Sequence, residues 1–282
     1  VFSTPYTYCD LYDRYVIILA VFLSKSIGSP QEAYHQSGEL RNYHDTEPSM
    51  DENGIVNEAK QRELIHGYMA SVSFIDAQVG MILDHLESTG LDENTVVVFF
   101  GDHGWHLGDH GLWNKHSNFE EATRTPLIFK SPDIDGGFVN DSPVELLDIF
   151  PTVCTLAGIP KPDDLDGISL VPILEKKSEY LRDFAISQYP RRCNVMRSVI
   201  GRYPDDCTLM GYAVRNEKYR YIAWVSGDFE DRSDFNNDEI VMEELYDYEI
   251  DPLETKSYAS DASYQKVKEG MIKDLRSVIW EN

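Results

Sequence analysis

One stretch of this sequence, residues 101–129, gathers most of the side chains that bind metal ions or anions. It reads GDHGWHLGDHGLWNKHSNFEEATRTPLIF. Carboxylates and imidazoles at this density hold metal ions, glycines let the main chain approach a ligand, and a lysine offers positive charge to an anion. The candidates are Asp102, His103, His106, Asp109, His110, Lys115 and His116. A solvated turn explains any one of these histidines alone, whereas the whole group indicates a site.

The segment just before this stretch must position it. Residues 95–100, TVVVFF, form a continuous β-branched and aromatic run. Such a run predicts a strand buried on both faces, as in a parallel sheet covered by helices. Open α/β sheets bind ligands just past the carboxyl ends of their strands. The loop that begins at Gly101 is therefore the predicted site.

Helices and further strands complete a first region. Apolar residues from Leu64 to Leu86 recur at steps of three and four before Gly90, which predicts a helix with a glycine after its end. Residues 126–129 predict a strand, and residues 144–156 predict a helix that Pro151 kinks or breaks. Residues 29–56 are polar and rich in turn formers, and a loop of that length in a compact domain is often functional.

The later part of the chain has a β-like texture. Residues 184–189, 210–215 and 219–225 predict strands, and residues 262–280 predict a helix with one apolar face. The sequence thus predicts an α/β protein with two regions. Residues 1–175 form the larger α/β part, and residues 176–282 form a smaller sheet with a packed helix.

Composition and charge exclude several classes of protein. The 282 residues are 42% hydrophobic and 12% aromatic, which is a globular composition, and the net charge is −24. Nonspecific nucleic-acid binding needs a basic face, so it is not expected. The apolar run at residues 15–23 is shorter than the roughly 20 residues that span a bilayer. Cys193 and Cys207 flank a loop-like stretch, where either a disulfide or two free thiols would fit.

The stretch from Gly101 resembles a known signature. The pattern G-D-H-G-W-x-L-G-[DE]-H-G-x-W-x-K-x-S-N-F, followed by T-P-L-I-F, is similar to the metal-binding signature of sulfatases in the alkaline phosphatase superfamily. Similar pieces follow the family order between Arg62 and Glu254, namely residues 68–76, 148–152, 166–170, 244–247 and 251–254. The resemblance implies a sulfatase/alkaline-phosphatase-like sheet flanked by helices, of which this chain carries a C-terminal portion, and a smaller antiparallel sheet.

Within the family the chain is most similar to the iduronate 2-sulfatase branch. The similar residues are 187–191, 210–212, 220–221 and Trp224. His103 after the aspartate also agrees with that branch, although choline- and sugar-sulfatases share the D-H-G form. The resemblance therefore implies removal of the 2-O-sulfate from iduronate in heparan or dermatan sulfate, in a lysosomal or secretory compartment. The alternatives are a choline sulfatase, a phosphonate or phosphodiester hydrolase, and a catalytically dead binding protein.

The resemblance also implies roles for individual residues. Asp102 and His103 would be ligands of a divalent cation, usually Ca²⁺, and Lys115 would contact the sulfate. Imidazole suits transition metals better than calcium, so His103 leaves the identity of the metal open. Trp105 and His116 would line the pocket, with a core position equally open for Trp105. Arg191, in a locally basic stretch, would recognise a uronate carboxylate or a neighbouring sulfate, or else belong to a solvated face.

One family motif is not found in these 282 residues. Sulfatases make formylglycine from C/S-x-P-x-R, and the nearest match, residues 193–197, has Val195 where proline belongs. The paired aspartates that complete the family's metal shell are not found either. We therefore expect formylglycine on a preceding segment, an N-terminal sulfatase chain as a possible partner, and little or no turnover by this chain alone.

Overall fold

The computed structural model describes residues 3–35, 37–43, 45–46, 49–51, 55–192, 208–226 and 239–279. Cys193 and Cys207, whose disulfide the sequence leaves open, lie outside the described residues. Cys9 and Cys154 are free thiols. No helix of the described residues is long and apolar enough to cross a bilayer.

The architecture is mixed α/β. The helices are α1 Tyr6–Cys9, α2 Gly38–Arg41, α3 Glu58–Ser88, α4 Glu120–Thr123, α5 Ile149–Leu156, α6 Val171–Leu174 and α7 Gln265–Ile279. The strands are β1 Val97–Phe100, β2 His106–Leu107, β3 Trp113–Asn114, β4 Leu127–Lys130, β5 Ala185–Arg192, β6 Thr208–Arg215, β7 Tyr219–Ser226 and β8 Glu239–Asp247. Short 3₁₀ turns connect several of these elements.

Helix α3 confirms the helix predicted from apolar spacing. The Asn57 side chain accepts a hydrogen bond from the Lys60 amide at 3.0 Å, which caps the first turn. Gly90, with φ +70°, follows the last turn, as expected of a residue past a helix end. Leu64 and Ile65 are buried near the start of the helix, but Ile75 and Ile82 further along are 51% and 66% exposed. The apolar face is thus covered only near its N-terminal end by the described residues.

Strand β1 corrects the expectation of a strand buried on both faces. It pairs antiparallel with β4, from Val97 opposite Lys130 to Phe100 opposite Leu127. Phe99 and Phe100 are 39% and 47% exposed. The apolar run correctly marked a strand, but the direction of its partner depends on how the 26 intervening residues turn back, and the run itself does not encode that.

The helix predicted at residues 144–156 begins late. A 3₁₀ turn, Leu146–Asp148, precedes α5, so the break comes before Pro151 rather than at it. Pro151 occupies the first turn of α5, where its missing N–H has no intrahelical partner to lose. The buried Asp148 carboxylate accepts hydrogen bonds from the amides of Glu145 and Ile168, both at 2.9 Å, and so holds the following loop to this turn.

The C-terminal sheet is the best-buried element. Its strands run antiparallel in the order β5-β6-β7-β8, and α7 packs one face through Met271 and Leu275. The other face packs on Tyr34, Leu112 and Phe119 of the first region. Three of these strands and the helix confirm the predicted elements, whereas β8 was not predicted as a strand. The boundary at residues 175/176 stays a prediction.

Gly211 on β6 lets the S-N-F segment of the site loop pack closely against the C-terminal sheet. A Cβ at this position would lie 2.5 Å from Asn118 Nδ2 and 2.9 Å from the Trp224 ring. The Asn118 amide donates instead to the Gly211 carbonyl at 3.1 Å. The S-N-F segment of the site loop is thereby fixed to the sheet, which holds the preceding Lys115 in place.

Candidate functional site

The loop after β1 brings Asp102 and His103 together. His103 Nδ1 lies 2.8 Å from the Gly104 carbonyl, which can only accept, so Nδ1 carries the proton. The other ring nitrogen, Nε2, then offers a lone pair and lies 3.5 Å from Asp102 Oδ2. The Asp102 carboxylate is 83% exposed. These two atoms therefore fit two positions in the shell of a divalent cation, as a carboxylate oxygen and a correctly protonated imidazole.

Close packing holds this loop in place. A Cβ on Gly104 would lie 2.0 Å from the Glu121 carbonyl oxygen, so only glycine lets the loop pass α4 this closely. The Gly104 amide donates to the Ala122 carbonyl at 2.9 Å. Packing against α4 therefore requires glycine at position 104. The same packing holds the neighbouring His103 at a fixed distance from α4.

Trp105 joins the metal-ligand pair to the predicted sulfate contact. Its ring stacks on His103 with centroids 5.8 Å apart, and on Tyr68 of α3 at 6.5 Å. The Lys115 ammonium lies 5.4 Å from the centre of the Trp105 ring, a cation–π distance. Trp105 is half-buried rather than part of the core. It therefore lies between the two predicted groups and touches both.

Lys115 and His116 converge on a carboxylate that sequence reasoning missed. Glu39 of α2 accepts from Lys115 Nζ at 3.2 Å and from His116 Nε2 at 2.9 Å. Burial works to raise the pKa of Glu39, but the hydrogen bonds and charges of Lys115 and His116 together outweigh it and lower that pKa. All three side chains remain partly accessible, with 29% to 34% of each exposed.

Arg191 supports His116 from the C-terminal sheet. Its Nε donates to the Glu32 carbonyl at 2.9 Å, and another guanidinium nitrogen donates to the His116 carbonyl. The guanidinium also lies 4.5 Å from the centre of the Tyr189 ring. Tyr189 in turn places its hydroxyl 2.8 Å from His116 Nδ1. Arg191 is thus beside the predicted pocket, but these bonds make it a support for His116.

His35 adds a second residue that sequence reasoning missed. Its ring centre is 6.0 Å from that of His116, and burial, followed by the charges of Arg191 and His116, lowers its pKa to about 3. Nδ1 accepts from the Ser37 amide at 2.9 Å, so the neutral ring carries its proton on Nε2. That buried Nε2 has no hydrogen-bond partner within the described ranges. Both His35 and Glu39 lie in the long loop at residues 29–56, a kind of loop that is often functional. That loop was the signal from which the two residues could have been found.

Two histidines of the site stretch turn inward instead. His106 is fully buried, its Nε2 lies 2.7 Å from Ser117 Oγ, and burial holds its pKa well below the usual value. His110 stacks on Phe119 with ring centres 4.2 Å apart. The seven candidates of the stretch therefore do not form one cluster, because the chain reverses at β2 and β3 and points these two rings into the interior.

His110 belongs to a second group of possible metal ligands. One ligand atom each from His110, Glu121 and Glu254 lie within 4.8 Å of one another. Burial, followed by the charge of Glu254, raises the pKa of Glu121 to about 7. This group could hold a metal ion, and it shares no side chain with the Asp102–His103 pair.

Comparisons with known proteins find matches along most of the chain. Residues 30–159 match the family model described as Sulfatase, and residues 108–281 match the one described as N-sulphoglucosamine sulphohydrolase, C-terminal. The chain is 31% identical over 271 residues to iduronate 2-sulfatase of Mus musculus, covering 79% of this chain and 48% of that protein. It spans about half the length of the curated relatives it matches.

Solved structures give the same fold. A protein in complex with its substrate D-glucosamine-2-N,6-O-disulfate is 26% identical, with a TM-score of 0.60 over 79% of this chain and 42% of that one. The phosphonate monoester hydrolase of Agrobacterium radiobacter is 22% identical, with a TM-score of 0.70 over 98% of this chain and 53% of that one. At that identity the second likeness concerns the fold alone.

Proposed function

Since the chain belongs to the sulfatase family, we propose that the protein hydrolyses a sulfate ester at the site formed by Asp102, His103, Trp105 and Lys115. One observation carries the proposal. Contacts run without a gap from the Asp102–His103 pair through the Trp105 ring to the Lys115 ammonium. Ligands for a cation and a fixed positive charge therefore lie in one connected group of side chains, as the transfer of an anionic group requires.

The chain's own residues would divide the work. A bound Ca²⁺ would polarise the sulfate oxygens when held by Asp102 and His103. Lys115 neutralises charge that develops on the sulfate and its bridging oxygen, and the Trp105 face orients that ammonium. His103 keeps its Nε2 lone pair available because the Gly104 carbonyl holds the proton on Nδ1. The nucleophile, formylglycine, would come from a segment outside these 282 residues, contributed by an N-terminal sulfatase chain.

The substrate we propose is a 2-O-sulfated iduronate in heparan or dermatan sulfate. Arg191 adds positive charge beside His116, whose ring N–H groups can donate hydrogen bonds, and a uronate carboxylate beside the sulfate would meet both. The similarity to mouse iduronate 2-sulfatase supports the same choice. A lysosomal or secretory compartment follows from that proposal, and an acidic pH there would lessen the repulsion between a polyanion and this acidic protein.

Phosphonate monoester hydrolysis is the second candidate. Hydrolysis of a phosphonate monoester also transfers an anionic group, so the same cation ligands and Lys115 could serve it. A choline sulfatase would use the same cation site but has no need of the positive charge at His116 and Arg191. A catalytically dead protein that binds sulfated glycans is the remaining alternative, and it would keep the anion-binding side chains without a nucleophile.

The test is to clone the complete transcript that encodes these residues and assay its product. We expect the transcript to contain C-x-P-x-R and paired aspartates. We also expect the purified product to hydrolyse a fluorogenic 2-sulfo-iduronide much faster than a phosphonate monoester or choline sulfate. Faster phosphonate hydrolysis, with an unmodifiable Ser or Thr at the nucleophile position, would replace the sulfatase proposal. Binding of heparan sulfate without turnover would identify a dead relative.

A further inference from the structure

The group formed by the buried His110 and Glu254 and the partly buried Glu121 shares no side chain with the proposed sulfate site. His110 follows β2 in a 3₁₀ turn, Glu121 belongs to α4, and Glu254 follows β8 in a tight turn. The side chain of His110 is 1% exposed and that of Glu254 also 1%. Two turns of the site stretch and one turn that lies more than a hundred residues later thus bring a nitrogen and two carboxylates within 4.8 Å of one another.

The hydrogen bonds around His110 fix which ring nitrogen is free. Ser26 Oγ donates its single proton to the Glu254 carbonyl at 2.5 Å. It lies 3.2 Å from His110 Nδ1, so in this contact it can only accept, and Nδ1 carries the ring proton. His110 Nε2 is therefore a lone pair. An imidazole whose N–H is held by an outer hydrogen bond, leaving the other nitrogen bare, is the usual state of a metal-bound histidine.

The lone pair on His110 Nε2 faces a carboxylate oxygen of Glu121. His110 Nε2 lies 3.9 Å from Glu121 Oε2, which is too far for a hydrogen bond. Glu121 Oε2 is buried and has no hydrogen-bond partner among the residues that the structure describes. Two bonds of about 2.0–2.2 Å at a tetrahedral angle separate their ligand atoms by roughly 3.3–3.6 Å. The observed gap of 3.9 Å is slightly wider, so the two side chains would move together by a few tenths of an ångström on an ion. An ion between the two atoms would satisfy both.

Within the described residues, Glu121 has no lysine or arginine as an ion-pair partner. Arg220 forms ion pairs with Glu120 and, at 3.1 Å, with Glu254. The negative charges of Glu254 and Asp109 add to burial in raising the pKa of Glu121, and Arg220 opposes them only as the weakest cause. A divalent cation at this place would supply the positive charge that, among the described residues, Arg220 provides only weakly to Glu121.

We propose that His110, Glu121 and Glu254 bind a divalent transition-metal ion of the zinc class, which fastens α4 to the turn after β8. One imidazole and two carboxylates suit zinc-class ions, whereas calcium takes six to eight oxygen ligands. Because the ligands come from distant parts of the chain, binding would stabilise their junction. This inference does not rest on the proposed hydrolysis, and its test measures no turnover.

The test is a titration of the chelator-treated protein with Zn²⁺ by calorimetry and with Co²⁺ by visible absorption. We expect at least one equivalent of each ion to bind at a site that depends on Glu121, an absorption band of cobalt with nitrogen and oxygen ligands, and a rise of Tm on binding. Glu121→Gln, which keeps the shape of the side chain, should weaken Zn²⁺ binding at least about tenfold, the factor expected for a lost ligand interaction. Asp102→Asn, which alters only the other cation pair, should leave this binding unchanged.

Three results would overturn the inference. They are no Zn²⁺ or Co²⁺ binding by the wild-type protein, equal binding by Glu121→Gln, and loss of the binding in Asp102→Asn alone. Since Glu121→Gln removes a buried charge, it should not impair folding, and unfolding curves of the metal-free proteins check that point. If that variant does not fold, Glu121→Asp gives a second measurement, because the shorter carboxylate should weaken Zn²⁺ binding while keeping the charge.

Discussion

Two charged regions of this molecule are built in opposite ways. Around Glu39, Lys115 and His116 share one carboxylate, and about a third of each side chain is open to solvent. Around Arg220, the guanidinium is 2% exposed and donates to Tyr248, to the Asn118 carbonyl and to Glu120. In the closed region, which is the one around Arg220, the charged side chains pair with one another and connect the sheet to the site loop. The open region keeps charge that a ligand can still use.

The largest effect should follow from breaking the closed region at Arg220. Arg220→Met leaves the buried Glu254 without its cation, although Glu120 keeps Arg215 at 3.2 Å. Loss of the buried partner should cost about 3–5 kcal/mol of unfolding free energy. Denaturant unfolding measures it. The matched control is Arg124→Met, since Arg124 also faces Glu120 but is 75% exposed. That control should change stability by about 0.5 kcal/mol or less, and equal losses in the two variants would show that burial is not what distinguishes the regions.

A pH effect should come from the same interior. Burial raises the pKa of Glu244 to about 7, while its carboxylate accepts from Trp224 Nε1 at 2.8 Å and from the Tyr246 hydroxyl. Its folded-state pKa lies above the unfolded value near 4.5, so the folded state holds a proton that the unfolded state has lost. Stability from this group is therefore present at low pH and falls as pH rises from about 4.5 to 7.

Glu244→Gln removes that titration and keeps the shape of the side chain. The difference in unfolding free energy, variant minus wild type, should rise by about 2 kcal/mol between pH 5 and pH 7.5. Other groups titrate in both proteins and cancel in the difference. A flat difference across this range would mean that Glu244 is already ionised at pH 5 in the folded state.

The smallest effect on stability should come from opening the exposed region. Glu39→Gln removes a partly exposed ion pair, so unfolding free energy should change by about 1 kcal/mol or less. Sulfate binding should strengthen severalfold, because Lys115 and His116 no longer share their charge with Glu39. Quenching of tryptophan fluorescence by added sulfate, including that of Trp105, measures it. Asp84→Asn on the exposed part of α3 changes the net charge equally and should not alter binding, and a matching gain there would reduce the effect to overall charge.

The contrast also explains what the sequence could predict. Apolar spacing and β-branched runs predicted α3, α7 and five strands, because side chains of similar polarity recur at the spacing of a helix or a strand. Strand β8 was missed because its acidic residues hide that repeat. Glu243 and Glu244 are both acidic, yet Glu244 lies in the interior beneath Trp224.

The site could be predicted only in part for a related reason. Lys115, His116 and Trp105 are close in sequence to Asp102 and His103, and they lie in one connected group. Glu39 is 76 residues before Lys115, and no local pattern pairs the two. The inward turn of His106 and His110 likewise depends on the reversal between β2 and β3, because residue type alone cannot distinguish a ligand from a core imidazole.

The most direct test of the account is the effect of Lys115→Ala on kcat/KM for a fluorogenic 2-sulfo-iduronide, measured on the product of the complete transcript. Removing a fixed charge that stabilises the transferred group should lower kcat, and with it kcat/KM, by about 10²–10³-fold. Lys130→Ala, on the exposed side of β4, serves as the control and should leave kcat/KM unchanged. Activity that survives in Lys115→Ala at the level of Lys130→Ala would contradict the assignment of this region as the sulfate-ester site.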